Sequence, residues 1–151
     1  AARTAQEALR KIADAEAVFV SRGDDSGTHN RERSLLGAIA ANLDQKNGWY
    51  RSVGAGMGAA LNTASGMNAY IMSDRASWLN FGNKGGLAML YAGDPALFNQ
   101  YAYLPVNPLL HRHVKTTQAK NLEAWLTSSR AKELINNYQI DGEKLFFFNA
   151  E

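Results

Sequence analysis

The sequence has no cysteine among its 151 residues, which excludes disulfide bonds and metal sites built from thiolates. No apolar run approaches the roughly 18 residues that a membrane-spanning helix requires. Neither sign of charge dominates, because 16 Lys and Arg residues oppose 14 Asp and Glu residues for a formal net charge of +2. This weak field, with no polybasic run, argues against nucleic acid as the main partner.

What is present is the composition of a globular domain. Hydrophobic residues form 46% of the chain and charged residues 20%, values typical of folded proteins, and the length suits one domain or two small lobes. The first residues lack the charged and then apolar segments of a signal peptide. We therefore expect the chain to begin either at a mature terminus or inside a longer protein.

Hydrophobic periodicity predicts alternating helices and strands. Apolar residues at helical spacing predict helices near residues 5–12, 36–43, 59–64, 74–79, 119–126 and 131–138. Short apolar runs predict strands near residues 17–20, 49–53, 69–72, 87–91 and 101–106, and a final buried segment at 146–148. The alternation predicts an α/β fold, a mixed sheet covered by helices. The aromatic side chains of Tyr101, Tyr103 and Trp125 are expected in the core.

The segment most informative about function is residues 21–28, SRGDDSGT, between a predicted buried strand and a helix. In α/β sheets, ligands bind beyond the carboxyl ends of the strands, and helix N-termini offer unpaired N–H groups with a positive dipole end. Ser26 and Thr28 add hydroxyls, Gly27 permits close approach of the backbone, and Arg22 adds a planar fork of donors. This combination predicts a cradle for a small dianion.

A simpler interpretation is that Asp25 or Ser26 only caps the helix. The two aspartates of the segment, Asp24 and Asp25, would repel an anion, so we expect them to cap the helix or to orient other groups. An ion pair from one of them to Arg22 would fix the guanidinium.

Residues 21–29, SRGDDSGTH, resemble the signature of the periplasmic tungstate-binding proteins that serve ABC transporters. The resemblance continues in the same order over nearly the whole chain, through residues 48–50, 54–62, 69–75, 93–101, 106–108, 125–128 and 145–146. It implies a type II periplasmic binding protein, whose two α/β lobes close on the anion like a clamp. It further implies that Arg22 and Thr28 hold the anion from one lobe, with Ser26 and the N–H of Gly27 as helpers.

The resemblance also implies a function and a location. The ligand would be tungstate, with molybdate as a close second, and there would be no cofactor, metal or catalysis. The partner would be the membrane permease of an ABC transporter. The protein would work outside the cytoplasm, in the periplasm or as a membrane-associated lipoprotein.

The chain departs from the family in one respect. Family members carry a Thr/Ser-rich loop near the N-terminus that supplies hydroxyls from the opposite lobe, and Thr116 and Thr117 stand too late in the sequence to replace it. By the family layout, residues 1–101 form the second lobe, incomplete at its N-terminus, and residues 102–151 cross the hinge and return to the first lobe. We therefore expect half of a clamp, which needs the missing N-terminal segment of its own protein for full affinity.

A second glycine loop supports an alternative function. Gly54, Gly56 and Ala59 follow a predicted strand and open a helix, with Asp74 near the offset of a ribose partner, which fits a dinucleotide-binding oxidoreductase. Against this, the pattern shows no βαβ unit of the usual spacing, and Gly58 is expected to serve tight packing. In the oxyanion interpretation, Gly56 and Arg75 are secondary candidates for anion contacts.

Two further constellations are weak. Ser26 and His29 suggest a serine hydrolase, but His29 falls in the first helical turn and the loop lacks a nucleophile elbow. His111 and His113 place two imidazoles close together, with no third metal ligand indicated by any pattern.

Overall fold

The computed structural model describes residues 2–37 and 48–150. The chain forms two compact units, unit 1 (Ala1–Phe98) and unit 2 (Asn99–Glu151). Unit 1 contains α1 (Ala5–Asp14), β1 (Phe19–Ser21), α2 (Gly27–Leu36), β2 (Tyr50–Ser52), α3 (Met57–Met67), β3 (Tyr70–Ile71), α4 (Arg75–Asn80) and a 3-10 helix at Pro95–Leu97. Unit 2 contains α5 (Thr116–Leu126), α6 (Ser129–Asn137), β4 (Gln139–Ile140) and β5 (Glu143–Lys144).

The sheet of unit 1 has three parallel strands in the order β2-β1-β3. Phe19 is in register with Tyr50 on one side and with Tyr70 on the other. Consecutive parallel strands joined by α2 and by α3 are βαβ units, so the sequence-based argument that the chain lacks such units is wrong. The three strands are only two or three residues long, but they lie where short apolar runs predict strands. The helix α2 has few apolar residues, so hydrophobic periodicity gave little signal for it.

The core lies on both faces of β1, because successive side chains of a strand point to opposite faces. Phe19 packs with α1 and α2 in one buried cluster (Ala5, Leu9, Phe19, Leu35, Leu36, Trp49). Val20 packs with α3 in a second cluster (Val20, Ala60, Ala64, Ala69). Helices therefore cover the sheet on both sides, which confirms the predicted α/β class.

Helix starts follow the capping residues of the sequence. The Thr4 hydroxyl accepts the N–H of Glu7 at 3.0 Å at the start of α1, and the Ser128 hydroxyl accepts the N–H of Ala131 at 3.2 Å at the start of α6. Asp74 caps α4 by accepting the N–H of Ser77 at 2.8 Å. The predicted helix at 36–43 lies mostly outside the described residues, and none of the described helices could cross a lipid bilayer.

Unit 2 contains the two predicted C-terminal helices and a short hairpin. β4 and β5 pair antiparallel, with Gln139 opposite Lys144. Asp141 and Gly142, which join them, both have positive φ, 51° and 79°. An Asp-Gly pair with this geometry forms a tight hairpin turn whose twist matches the strands.

Several expectations about buried strands and aromatics are wrong. Residues 87–91 and 101–106 form no strand, and the described sheets do not include them. Tyr101, Trp125 and Phe147 are 69%, 48% and 71% exposed. Tyr103 is half-buried, and its hydroxyl donates to the carbonyl oxygen of Ala119 at 2.9 Å. Residue hydrophobicity therefore overestimated the core of unit 2.

Candidate functional site

The two glycine loops lie side by side at the carboxyl edge of the sheet. The loop after β1 (residues 22–26) leads into α2, and the loop after β2 (residues 53–56) leads into α3. The N–H of Val53 donates to Ser21 O at 3.0 Å, and the N–H of Ala55 donates to Arg22 O at 3.1 Å. These bonds extend the strand pairing into the loops, so α2 and α3 both begin at this edge.

Gly23 makes this close approach of the loops feasible. Its φ is +60°, and a Cβ atom at this position would lie 1.6 Å from Ser52 Oγ. Only glycine combines a left-handed backbone with the absence of that atom. The first loop therefore depends on Gly23 for its path along β2.

Asp24 fixes Arg22 at the start of α2. One carboxylate oxygen accepts from Arg22 Nε at 3.1 Å and from Nη2 at 2.5 Å, and the other accepts the N–H of Ser26 at 3.2 Å. The hydrogen bond from the Ser26 side chain, followed by those from Arg22, lowers the pKa of Asp24 to about 2. The Arg22 side chain is 19% exposed, so its guanidinium is held in place and still reaches solvent. The expected ion pair between an aspartate and Arg22 is confirmed.

The N-terminus of α2 presents unused donors. The described residues provide no hydrogen-bond acceptor for the N–H groups of Gly27 and Thr28, nor for the Thr28 hydroxyl. Gly27 faces open space, because a Cβ atom there would meet nothing within 4 Å. Unpaired N–H groups at a helix start, with the dipole behind them, favour an anion.

Ser26 acts as the helix cap, as the simpler interpretation predicted. Its Oγ accepts the N–H of His29 at 3.3 Å, and its backbone N–H donates to Asp24 Oδ1 at 3.2 Å. The hydroxyl is therefore engaged in the cap, which leaves the N–H groups of Gly27 and Thr28 and the Arg22 side chain as the groups most open to a ligand. Asp25 is exposed, and its N–H donates to His29 Nδ1 at 3.1 Å.

The N-terminus of α3 is built differently. Its cap residue Gly56 has no side chain, and a Cβ atom at Gly54, Gly56 or Gly58 would meet nothing within 4 Å. The prediction that Gly58 serves tight packing is therefore wrong. Arg75 is the first residue of α4 and is exposed.

The structure has the βαβ topology that the dinucleotide-binding alternative requires, but the predicted ribose partner, Asp74, has another role. Asp74 uses its carboxylate to accept the N–H of Ser77 in the cap of α4. A dinucleotide-binding loop requires an acidic side chain available to the ribose hydroxyls. The glycine pattern and the βαβ topology then support this alternative, without an acidic partner for the ribose.

The hydrolase and metal interpretations find no geometric support among the described residues. His29 Nδ1 accepts from the backbone of Asp25, and none of the described hydrogen bonds joins this ring to the Ser26 hydroxyl. The rings of His111 and His113 meet edge to face at 6.1 Å. Within 2–37 and 48–150, no group of three His, Asp or Glu residues could hold a metal ion.

A buried polar cluster beneath the first loop was missed at the sequence level. The Tyr50 hydroxyl is hydrogen-bonded to Ser21 Oγ at 2.8 Å and to Glu32 Oε1. Burial raises the pKa of Glu32, and burial together with the nearby carboxylate raises the pKa of Tyr50. The one signal in the sequence was the polar Ser21 at the end of a buried apolar run.

The fold and this edge define the class of protein. The chain belongs to the PBP superfamily, because the family model described as "PBP superfamily domain" matches residues 1–130.

Among curated proteins, the chain is 39% identical over 145 residues to the tungstate-binding protein TupA of Peptoclostridium acidaminophilum, covering 95% of this chain and 50% of that protein. It is 30% identical over 150 residues to the tungstate-binding protein TupA of Campylobacter jejuni, covering 97% of this chain and 55% of that protein. The resemblance to tungstate-binding proteins is thereby confirmed. The chain spans about half the length of these relatives.

Solved structures agree with the family and the fold. The tungstate-binding protein TupA from Desulfovibrio alaskensis is 38% identical, with a TM-score of 0.78 over 98% of this chain and 61% of that chain. The tungstate ABC transporter structure from Geobacter sulfurreducens is 37% identical, with a TM-score of 0.72 over 91% of this chain and 57% of that chain.

Proposed function

We propose that the chain is part of a solute-binding protein that captures tungstate, or the similar anion molybdate, and delivers it to the permease of an ABC transporter. Binding is reversible and involves no covalent chemistry, so the protein is not an enzyme. The names of the relatives, two tungstate-binding proteins and a tungstate ABC transporter, support this proposal.

The observation that carries the proposal is that a fixed guanidinium and unpaired N–H groups occur together at the start of α2. Arg22 is fixed by Asp24, and the N–H groups of Gly27 and Thr28 are unused by the described residues. A tetrahedral dianion accepts several hydrogen bonds at once, and those from a guanidinium are roughly twice as strong as neutral ones. We assign Arg22, Gly27 and Thr28 as direct contacts and Ser26 as the residue that shapes the helix start.

Gly56 and Arg75 remain secondary candidates. The N-terminus of α3 opens at the same edge as that of α2, and Gly56 leaves room for close approach. An anion held at α2 would also feel the dipole of α3 if the two helix starts face it together.

The opposing half of the clamp is proposed to lie outside these 151 residues. The relatives are about twice as long as this chain, and the chain lacks the Thr/Ser-rich loop that the family resemblance implies. We assign residues 1–101 to the second lobe and 102–151 to the hinge crossing and the return to the first lobe. The boundary between the compact units, after Phe98, lies close in sequence to this division.

Delivery to a permease places the protein outside the cytoplasm, in the periplasm or on the membrane as a lipoprotein. The proposal requires only that the binding lobe face the compartment from which the anion is imported. A cell-fractionation experiment on the native host tests this part separately from ligand binding.

Calorimetric titration tests the proposed ligand. The full-length protein encoded by the gene is titrated with tungstate, molybdate, sulfate and phosphate, with NADH as the probe for the dinucleotide alternative. We expect heat of binding with tungstate and molybdate and a raised Tm in their presence, because the ligand stabilises only the folded state. Binding of NADH without binding of oxyanions would refute the proposal.

The same titration on the 151-residue chain tests the half-clamp. We expect weaker binding than in the full-length protein, because the opposing donors are missing. Equal affinity of the two proteins would show that residues 1–151 contain the whole site.

A further inference from the structure

A buried polar cluster connects the sheet to the first glycine loop. Ser21 is fully buried at the end of β1, Glu32 on α2 is 1% exposed, and Tyr50 begins β2. The Tyr50 hydroxyl is hydrogen-bonded to both of the other side chains. Ser21 Oγ in turn accepts the N–H of Gly23 at 3.2 Å. The cluster thus runs from α2 and β2 to the backbone of the loop that holds Arg22.

Stability alone gives a poor account of this cluster. Burying a carboxyl and two hydroxyls costs free energy that hydrogen bonds only offset, and apolar side chains of similar size often replace such groups without loss of stability. The Tyr50 ring already packs well, stacked on Phe19 at 5.9 Å between centroids and edge-on to Trp49 at 5.7 Å. The Tyr50 hydroxyl is therefore the part of the side chain that needs a separate explanation.

The geometry of the loop supplies that explanation. Between Ser21 and Ser26 the backbone turns through Gly23 at φ +60° and Asp25 at φ 56°. A turn of this kind offers several paths, and a fixed acceptor for the N–H of Gly23 selects one of them. Ser21 Oγ is that acceptor, and its own orientation is set by the bond to Tyr50.

We propose that Tyr50 is a positioning residue for oxyanion binding, which acts through Ser21 and Gly23 to hold Arg22 beside the start of α2. Tyr50 itself touches no ligand. The inference rests on the proposed function of the site and adds a residue outside the binding loop that sets its affinity.

The principal test is the affinity of Tyr50→Phe for tungstate, measured by calorimetry in the full-length protein. The variant keeps the aromatic packing and removes only the hydroxyl. We expect about a fivefold loss of affinity, the usual effect of one hydrogen bond. Glu32→Gln keeps an oxygen acceptor for Tyr50, and we expect its affinity to stay within about twofold of the parent.

Tyr91→Phe is the matched control. The Tyr91 hydroxyl donates to Arg3 O at 3.0 Å and to an Asp94 carboxylate oxygen at 3.3 Å, contacts within unit 1 that involve neither glycine loop. The same atom is removed, so a similar loss of Tm is expected with affinity unchanged within about twofold. An equal loss of affinity in both Tyr→Phe variants would show that affinity follows stability, and would overturn the proposal.

A second variant and a second measurement test the proposal if Tyr50→Phe folds poorly. Ser21→Ala removes the link itself and should weaken binding as much as Tyr50→Phe, with no further loss when the two are combined. In both variants, amide exchange of Gly23 should accelerate relative to that of Val53, whose N–H donates to a backbone carbonyl. Unchanged affinity in a folded Tyr50→Phe or Ser21→Ala variant refutes the positioning role, whereas a parent that binds no oxyanion refutes the proposed function itself.

Discussion

The two glycine loops of unit 1 share a backbone plan but differ in their side chains. Each follows a parallel strand and ends at the N-terminus of a helix, α2 or α3. The first loop carries Arg22, Asp24 and Ser26 in a hydrogen-bonded set, whereas the second has a bare cap at Gly56. Helix dipoles alone would make the two starts equivalent. The fixed guanidinium distinguishes them, and for this reason we propose the α2 start as the stronger anion site.

The largest expected effect comes from removing that guanidinium. Arg22→Ala deletes a charge-assisted contact worth about 1.5–3 kcal/mol, so tungstate affinity in the full-length protein should fall by about tenfold to a hundredfold. Calorimetric titration measures the change. Arg31→Ala, an exposed position on α2, is the matched control and should leave affinity within about twofold. If Arg22→Ala and Arg31→Ala both bind tungstate with the affinity of the parent, Arg22 is not the feature that makes the first loop the stronger anion site.

A second test compares glycines of the two loops by their effect on stability. Gly23→Ala combines a positive φ with a Cβ atom 1.6 Å from Ser52 Oγ, so we expect a loss of about 1–3 kcal/mol in unfolding free energy. Gly58→Ala faces open space in the first turn of α3 and should be neutral or stabilising by up to about 1 kcal/mol. Denaturant unfolding measures the unfolding free energy of both variants and so tests this difference. Equal losses would mean that the loops pack alike.

The smallest expected effect concerns the pH dependence of the first loop. The pKa of Asp24 is about 2 in the folded chain, below its usual value of about 4, so the folded state favours the carboxylate. Its contribution to stability is present above about pH 4 and is lost as the pH falls towards 2. Asp24→Asn should therefore be less stable than the parent at neutral pH, and the difference should shrink towards pH 2. A difference that is constant with pH would exclude the Asp24–Arg22 pair as its source.

Sequence reasoning predicted the first loop well because its signals are local. Ser26 as a cap, an aspartate paired with Arg22 and a helix start near Gly27 all involve residues within a few positions of one another. It predicted the surroundings less well. The exposed Tyr101 and Phe147 were assigned to a core, and two strands were predicted that need a neighbouring strand to form. The hydrophobicity of a residue indicates a preference for burial, but it does not indicate whether the folded chain has a surface against which the side chain can pack.

By itself, the sequence determined the family, the α/β class and the local chemistry of residues 21–28, because those properties depend on residue type and short spacing. Tertiary structure decided which segments meet. It paired the two glycine loops, turned Gly23 against Ser52 and joined the buried Glu32 and the half-buried Tyr50 beside Ser21. Such contacts follow from the β2-β1-β3 strand order and the parallel register, which only the assembled sheet defines.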